Sequence, residues 1–284
     1  MVKKIAFLFL IYDIINQEEL WFKWLENVDK NKYSIYIHYK YDKPLKYFNN
    51  YKLLNCIKTE YCKISIVQAH NLLIKEALKD KTNYKFINLS QACIPLKNFN
   101  YIYEKLIMDN NGYFNVTSGN NQTEELFPRC NDLLNYFDKS IISKSSNWFI
   151  LNRELSTVII DNEKDYLKYF ENIYCPEEHY FITMVKLNKL DNMVIYNTEP
   201  MNITTFTNWI YNKNYKFHDT EYNTIYYKRG LKNYPLISKN ELEYLINDTK
   251  CLFGRKFNQS CNVFSRRPVK KIEKILDFIL EYII

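Results

Sequence analysis

Two hydrophobic rhythms alternate along the first hundred residues. Residues 5–11 form an unbroken apolar run of strand length, the pattern of a strand buried on both faces. Residues 18–28 switch to helical spacing, with Leu20, Trp21, Trp24 and Leu25 on one side. Residues 33–39 alternate again, Ile35 and Ile37 facing one way, and read as a second strand. An Ile64-Ser65-Ile66 stretch leads into a helix over 67–79 on a Val67, Ile74 and Leu78 face, then a third strand over 84–89 and a helix over 100–108. Strand alternating with helix predicts an α/β domain with a mostly parallel central sheet. Ligands of such sheets bind beyond the carboxyl ends of the strands, which puts 38–40 and 90–93 beside the expected site.

Beyond this the rhythm weakens. Residues 109–144 are polar and aperiodic and read as loop. Helices are expected from about Pro176, over 239–247 and over 269–284, with a strand near 193–196. The last helix carries Ile272, Ile275, Leu276, Ile279, Leu280 and Ile283 and is expected to pack on the core. No internal repeat or flexible linker interrupts the chain, so 1–284 reads as a single domain.

Composition narrows the function classes. With 47% hydrophobic and 25% charged residues the chain is globular rather than disordered. The net charge of +7 favours anionic partners in general, but the basic stretches at 30–43 and 266–271 are short and interrupted, so no nucleic-acid partner is expected. The abundance of tyrosine, 26 residues, goes with that of Lys, Asn and Ile and reads as AT-rich coding. Seven cysteines without a C-x-x-C argue against a zinc site, and the odd count leans towards a reducing compartment while leaving room for two or three disulfides. The apolar run after Lys3-Lys4 is short and lacks a cleavage site, and no stretch is long enough to span a membrane. A soluble, cytoplasmic protein is expected, in a compact AT-rich style that fits a virus-encoded one acting in its host cell.

Two short segments carry the candidate chemistry. Cys175-Pro176-Glu177-Glu178-His179 offers carboxylates just past a proline, at a loop-to-helix junction where a general base can be held. Two acids there also suit the helix dipole without any catalytic role. Phe253-Gly254-Arg255-Lys256-Phe257 sets two adjacent cations between aromatics, a seat for a diphosphate.

The surroundings of these segments resemble the core-2/I-branching glycosyltransferase family, whose relatives include peptide xylosyltransferases and plant branching-like proteins. The resemblance lies in KIAFLFL at 4–10, YSIYIH at 33–38, FINLS at 86–90 with IPL at 94–96, NWFILNRE at 147–154, PEEHYF at 176–181 and LFGRKF at 252–257, in order. It implies a GT-A-like, Rossmann-type nucleotide-sugar transferase fold and an inverting transfer from a UDP-sugar to a glycan acceptor. UDP-N-acetylglucosamine leads the donors it implies, ahead of UDP-xylose and UDP-glucuronate. Glu178 matches the family's catalytic base. Lys256, then Arg255, match its diphosphate contact, and the second cation falls to Arg229 or Lys232. Trp209 and Tyr211 match a Trp-x-Tyr of the acceptor site, and Trp148 lies in a stretch near the acceptor. His38, Tyr61 and Ser90 are the donor-nucleotide candidates, with His38-Tyr39-Lys40 standing where the family has a His-Val-Asp-like turn. The sequence contains no Asp-X-Asp, in keeping with the family's metal-independent mode, so neither metal nor other cofactor is expected. Two other readings remain: a sugar-binding pseudoenzyme, favoured by the altered donor turn, and a polyanion binder, favoured by net charge alone.

Overall fold

The computed structural model describes residues 1–116, 127–198, 204–209, 217, 231–265 and 271–283. Its centre is a six-stranded sheet of order β2-β1-β3-β6-β5-β7. β1 (Lys4–Ile11) lies between β2 (Tyr33–Tyr39) and β3 (Asn83–Ser90), parallel to both. These strands are joined through α1 (Glu18–Leu25) and α2 (Ile64–Leu78). The apolar run of β1 sits on both faces of the sheet: Phe7 and Phe9 enter one buried cluster, Ala6 and Leu8 the other. A strand feeding two cores needs apolar residues at successive positions, which is why it shows no alternation.

The sheet continues past β3 with a change of direction. β4 (Ile94–Pro95) and α3 (Phe99–Ile107) follow, then β5 (Gly112–Asn115), the short helix α4 (Phe127–Cys130) and β6 (Ile150–Asn152), which runs antiparallel to both β3 and β5. Helices α5 (Arg153–Asp161), α6 (Glu163–Tyr166) and α7 (Tyr180–Leu187) lead to β7 (Val194–Asn197), parallel to β5. Three parallel and two antiparallel pairings make a mixed, mostly parallel sheet of the GT-A-like kind.

Two small sheets complete the described residues. β8 (Thr205–Thr207) and β10 (Phe253–Arg255) pair in parallel, with β4 antiparallel on the other side of β10. β9 (Tyr234–Ser238) is followed by α8 (Lys239–Asn247), and β11 (Phe257–Ser265) lies between β9 and β12 (Lys271–Lys274). α9 (Ile275–Ile283) closes the chain and buries Ile275, Phe278, Ile279 and Ile283 in the first cluster.

Three expectations are corrected. Ile64-Ser65-Ile66 belongs to α2 rather than to an extended lead-in, since Lys63 in extended backbone marks the helix start. The expected loop at 109–144 contains β5, whose four buried residues are too few to show a period. The expected helix at 269–284 begins as strand β12, paired antiparallel with β11, and Ile272 is exposed there.

Candidate active site

Glu178 sits on a tight turn that the sequence builds from two local constraints. Cys175 takes left-handed backbone (φ 51°), and Pro176 then starts a single 3-10 turn, Pro176–Glu178, ahead of α7. The Glu178 N–H donates to the Cys175 carbonyl at 3.0 Å, and its own carbonyl accepts the Ser145 N–H at 2.9 Å. Its side chain, 28% exposed, reaches Arg129 Nη1 at 3.1 Å and Lys144 Nζ at 3.5 Å.

Glu177 has the opposite environment. Burial pushes its carboxyl up to about 7, and Oε2 has no hydrogen-bond partner among the described groups. The helix that follows has no side-chain cap, so Glu177 does not cap it. His179 is buried and held neutral, lowered to about 4 by desolvation, with its ring Nδ1–H donating to the Ser143 carbonyl at 3.0 Å. It is a structural histidine. The turn therefore presents one of its two acids to solvent and folds the other inward.

The cationic corner lies on β10. Its middle residue is Gly254, where an added Cβ would stand 3.1 Å from Leu96 and 3.3 Å from Phe257, so glycine permits this close packing. Arg255 is only 9% exposed. Its guanidinium rests 3.9 Å from the centre of the Trp148 ring, an electrostatic contact with the indole face that strengthens when water is excluded. Burial lowers Arg255 to about 10, which leaves it charged at neutral pH. The Cys93 thiol and the Tyr61 phenol are the titratable groups acting on it most strongly. Lys256 follows through a cis peptide and is half-buried; desolvation first, then repulsion from Arg255, lower its amine.

Two connections join the corners. Residues 143–148 carry Ser145, bonded to the Glu178 carbonyl, and Trp148, which lies against Arg255. Cys62 is disulfide-bonded to Cys175, and its neighbour Tyr61 is exposed near Arg255. The sequence reading missed Arg129, Lys144 and this disulfide. Each joins positions far apart in the chain without any local motif, and only the turn at Pro176 brings them together.

The remaining candidates scatter. Ser90 ends β3, where its Oγ accepts the Ala92 N–H at 3.3 Å and lies 3.4 Å from Cys93 Sγ, so it shapes the turn under Arg255. His38 is fully buried and its Nε2 accepts the Ile57 N–H at 3.0 Å, so the ring offers no surface to a nucleotide. That corrects its expected contact with the donor: Ile35 and Ile37 face one side of β2 and His38 the other, and both sides are covered at this end of the strand. Trp209 is half-buried beyond β8, bridged to Leu231, and its indole N–H donates to Thr207 Oγ1 at 3.1 Å. Lys232 is buried against Glu241 at 3.4 Å, inside a network in which the Tyr234 hydroxyl donates to the same carboxylate at 2.7 Å. Tyr211 and Arg229 lie outside the described residues.

A sequence model described as Core-2/I-Branching enzyme matches residues 5–231, from β1 through the Glu178 turn to just short of Lys232. The chain belongs to the core-2/I-branching enzyme family. A curated relative, the rice protein glycosyltransferase BC10 (Oryza sativa subsp. japonica), is 25% identical over 168 residues, which is 57% of this chain and 41% of the rice protein. The chain thus aligns with less than half of that relative's length.

For a core-2/I-branching family member the arrangement has a clear chemical sense. A carboxylate open to water and oriented by two cations can receive a proton from a hydroxyl. A buried guanidinium with a neighbouring amine can take up negative charge as a leaving group departs. No helix among the described residues is long and apolar enough to cross a membrane.

Proposed function

We propose that this chain is an inverting glycosyltransferase that moves a sugar, N-acetylglucosamine as first choice, from a UDP-sugar to a glycan acceptor without a metal ion. Family membership supports the transfer, and the naming of the rice relative as a glycosyltransferase agrees with it. The observation that carries the reading is the split of the two acids, with Glu178 solvent-facing between Arg129 and Lys144.

In one displacement the acceptor hydroxyl gives its proton to the Glu178 carboxylate while its oxygen bonds to the anomeric carbon. The bond from that carbon to the diphosphate oxygen breaks, and UDP leaves with the electron pair. Lys256, with Arg255 beside it, meets the charge that builds on the diphosphate. In this reading Trp148, Trp209 and Tyr211 are assigned to the acceptor sugar, which aromatic side chains suit, and Tyr61 and Ser90 to the donor.

The test is UDP release from a panel of UDP-sugars, with and without a glycan acceptor, in excess EDTA. Acceptor-dependent release that persists in EDTA is expected. Complete loss restored by Mn²⁺ would overturn the metal-free reading. UDP-sugar binding with no release under any condition would turn the reading to a pseudoenzyme, which the altered His38-Tyr39-Lys40 stretch favours.

A further inference from the structure

The Cys62–Cys175 disulfide closes a loop with a sequence separation of 113, and a carboxylate oxygen of Glu177 lies with the two sulfurs inside a span of 4.8 Å. Cys62 and Cys175 both take left-handed backbone, φ 54° and 51°, a conformation side chains rarely adopt, so the surrounding fold holds each residue in place. The Glu177 Oε2 is buried and has no hydrogen-bond partner among the described groups. A disulfide has no proton to donate to it. The carboxyl is therefore placed against two sulfurs that, while bonded to each other, cannot satisfy it.

We infer that, once the disulfide is reduced, Cys62, Cys175 and Glu177 form a site for Zn²⁺ beside the catalytic turn. Two thiolates and a carboxylate suit zinc, with a water in the fourth position. At zinc–sulfur distances of about 2.3 Å a tetrahedral centre holds its two sulfurs about 3.8 Å apart. The bonded sulfurs are closer than that and must part on reduction, while a Glu177 carboxylate oxygen already lies within 4.8 Å of both. A phosphine reductant contributes the two electrons that break the sulfur–sulfur bond, and water supplies the two thiol protons. Zn²⁺ then displaces those protons into solvent and takes the Glu177 carboxylate as third ligand. Disulfide and metal use the same sulfurs, so the two states exclude each other. This site is separate from the diphosphate corner and does not depend on the transfer reaction. It also explains why cysteine spacing gave no sign of it, since the ligands meet only when Pro176 turns the chain beside the start of α2.

The test uses the full chain, oxidised or reduced with a phosphine and desalted without oxygen, and titrated with Co²⁺ as a spectroscopic stand-in. Reduced protein is expected to take up about one Co²⁺ per chain with thiolate-to-cobalt charge-transfer absorption, which Zn²⁺ then abolishes. Oxidised protein should show none. The double substitution Cys62→Ser with Cys175→Ser should remove the absorption, and Glu177→Gln should keep the thiolate bands while weakening Co²⁺ binding by about tenfold or more. The inference is overturned if reduction adds no cobalt absorption, or if the double serine variant still binds, which would place the metal on other cysteines. Should the serine variant fail to fold, Glu177→Gln decides: unchanged affinity overturns the three-ligand site.

Discussion

At the Pro176–Glu178 turn a carboxylate meets two cations in contact with water, whereas at β10 a guanidinium is enclosed against an indole with little water near it. The first arrangement is weak as a source of stability, because solvent screens it and long side chains lose freedom in holding it. It leaves the acid accessible. The second gains from the dry surroundings, where the attraction of a cation to an aromatic face grows, and it fixes the cation before any ligand arrives. The wet corner is thus suited to exchanging a proton and the dry corner to holding a charge.

Substitutions can break that contrast. The largest effect is expected from Glu178→Gln, which should slow transfer by about 10³-fold or more with UDP affinity nearly unchanged; steady-state kinetics beside a UDP titration would show it, and normal turnover would remove Glu178 as base. The buried, neutral state of His38 predicts a pH effect of about 3 kcal/mol. Its folded value of about 4 lies below the ordinary 6.5, so its contribution to stability is full above 6.5 and lost as pH falls towards 4. Urea unfolding across that window should be less acid-sensitive in His38→Gln. The variant, not the raw profile, is the readout, because the raised Glu177 contributes with opposite sign between about 4.5 and 7. Lys256→Ala should lower kcat/KM by about 10²-fold and weaken UDP binding; unchanged UDP affinity would take it out of the clamp. Smallest are the changes in stability. Trp148→Ala is expected to cost about 2 kcal/mol through the loss of the desolvated cation–aromatic contact, against less than about 1 kcal/mol for Arg129→Ala. Denaturant melts giving the reverse order would undo the comparison.

What could be read from sequence follows the range of the interactions. β1, β2 and β3 were legible because each is a local rhythm, and α8 was expected over the residues it occupies. β5 and β12 were not, since four-residue strands carry too little pattern. Within the site, the order of motifs around Pro176 and Gly254 located both corners. The roles of Arg129, Lys144 and Cys62 depend on which distant segments meet, and no spacing encodes that. His38 shows the reverse: a residue at a strand end looked available, whereas its ring is fully buried and accepts a hydrogen bond from the Ile57 N–H.

The stretch from Ser145 to Trp148 also sets a length. One end is bonded to the backbone of the proposed base and the other rests on the buried cation. Three peptide steps can span at most about 11 Å. In the proposed transfer the chain itself would act as a gauge between the two ends of the reaction coordinate, with attack measured from one mark and departure from the other. An inserted residue here would leave every functional side chain present and put the gauge out of calibration.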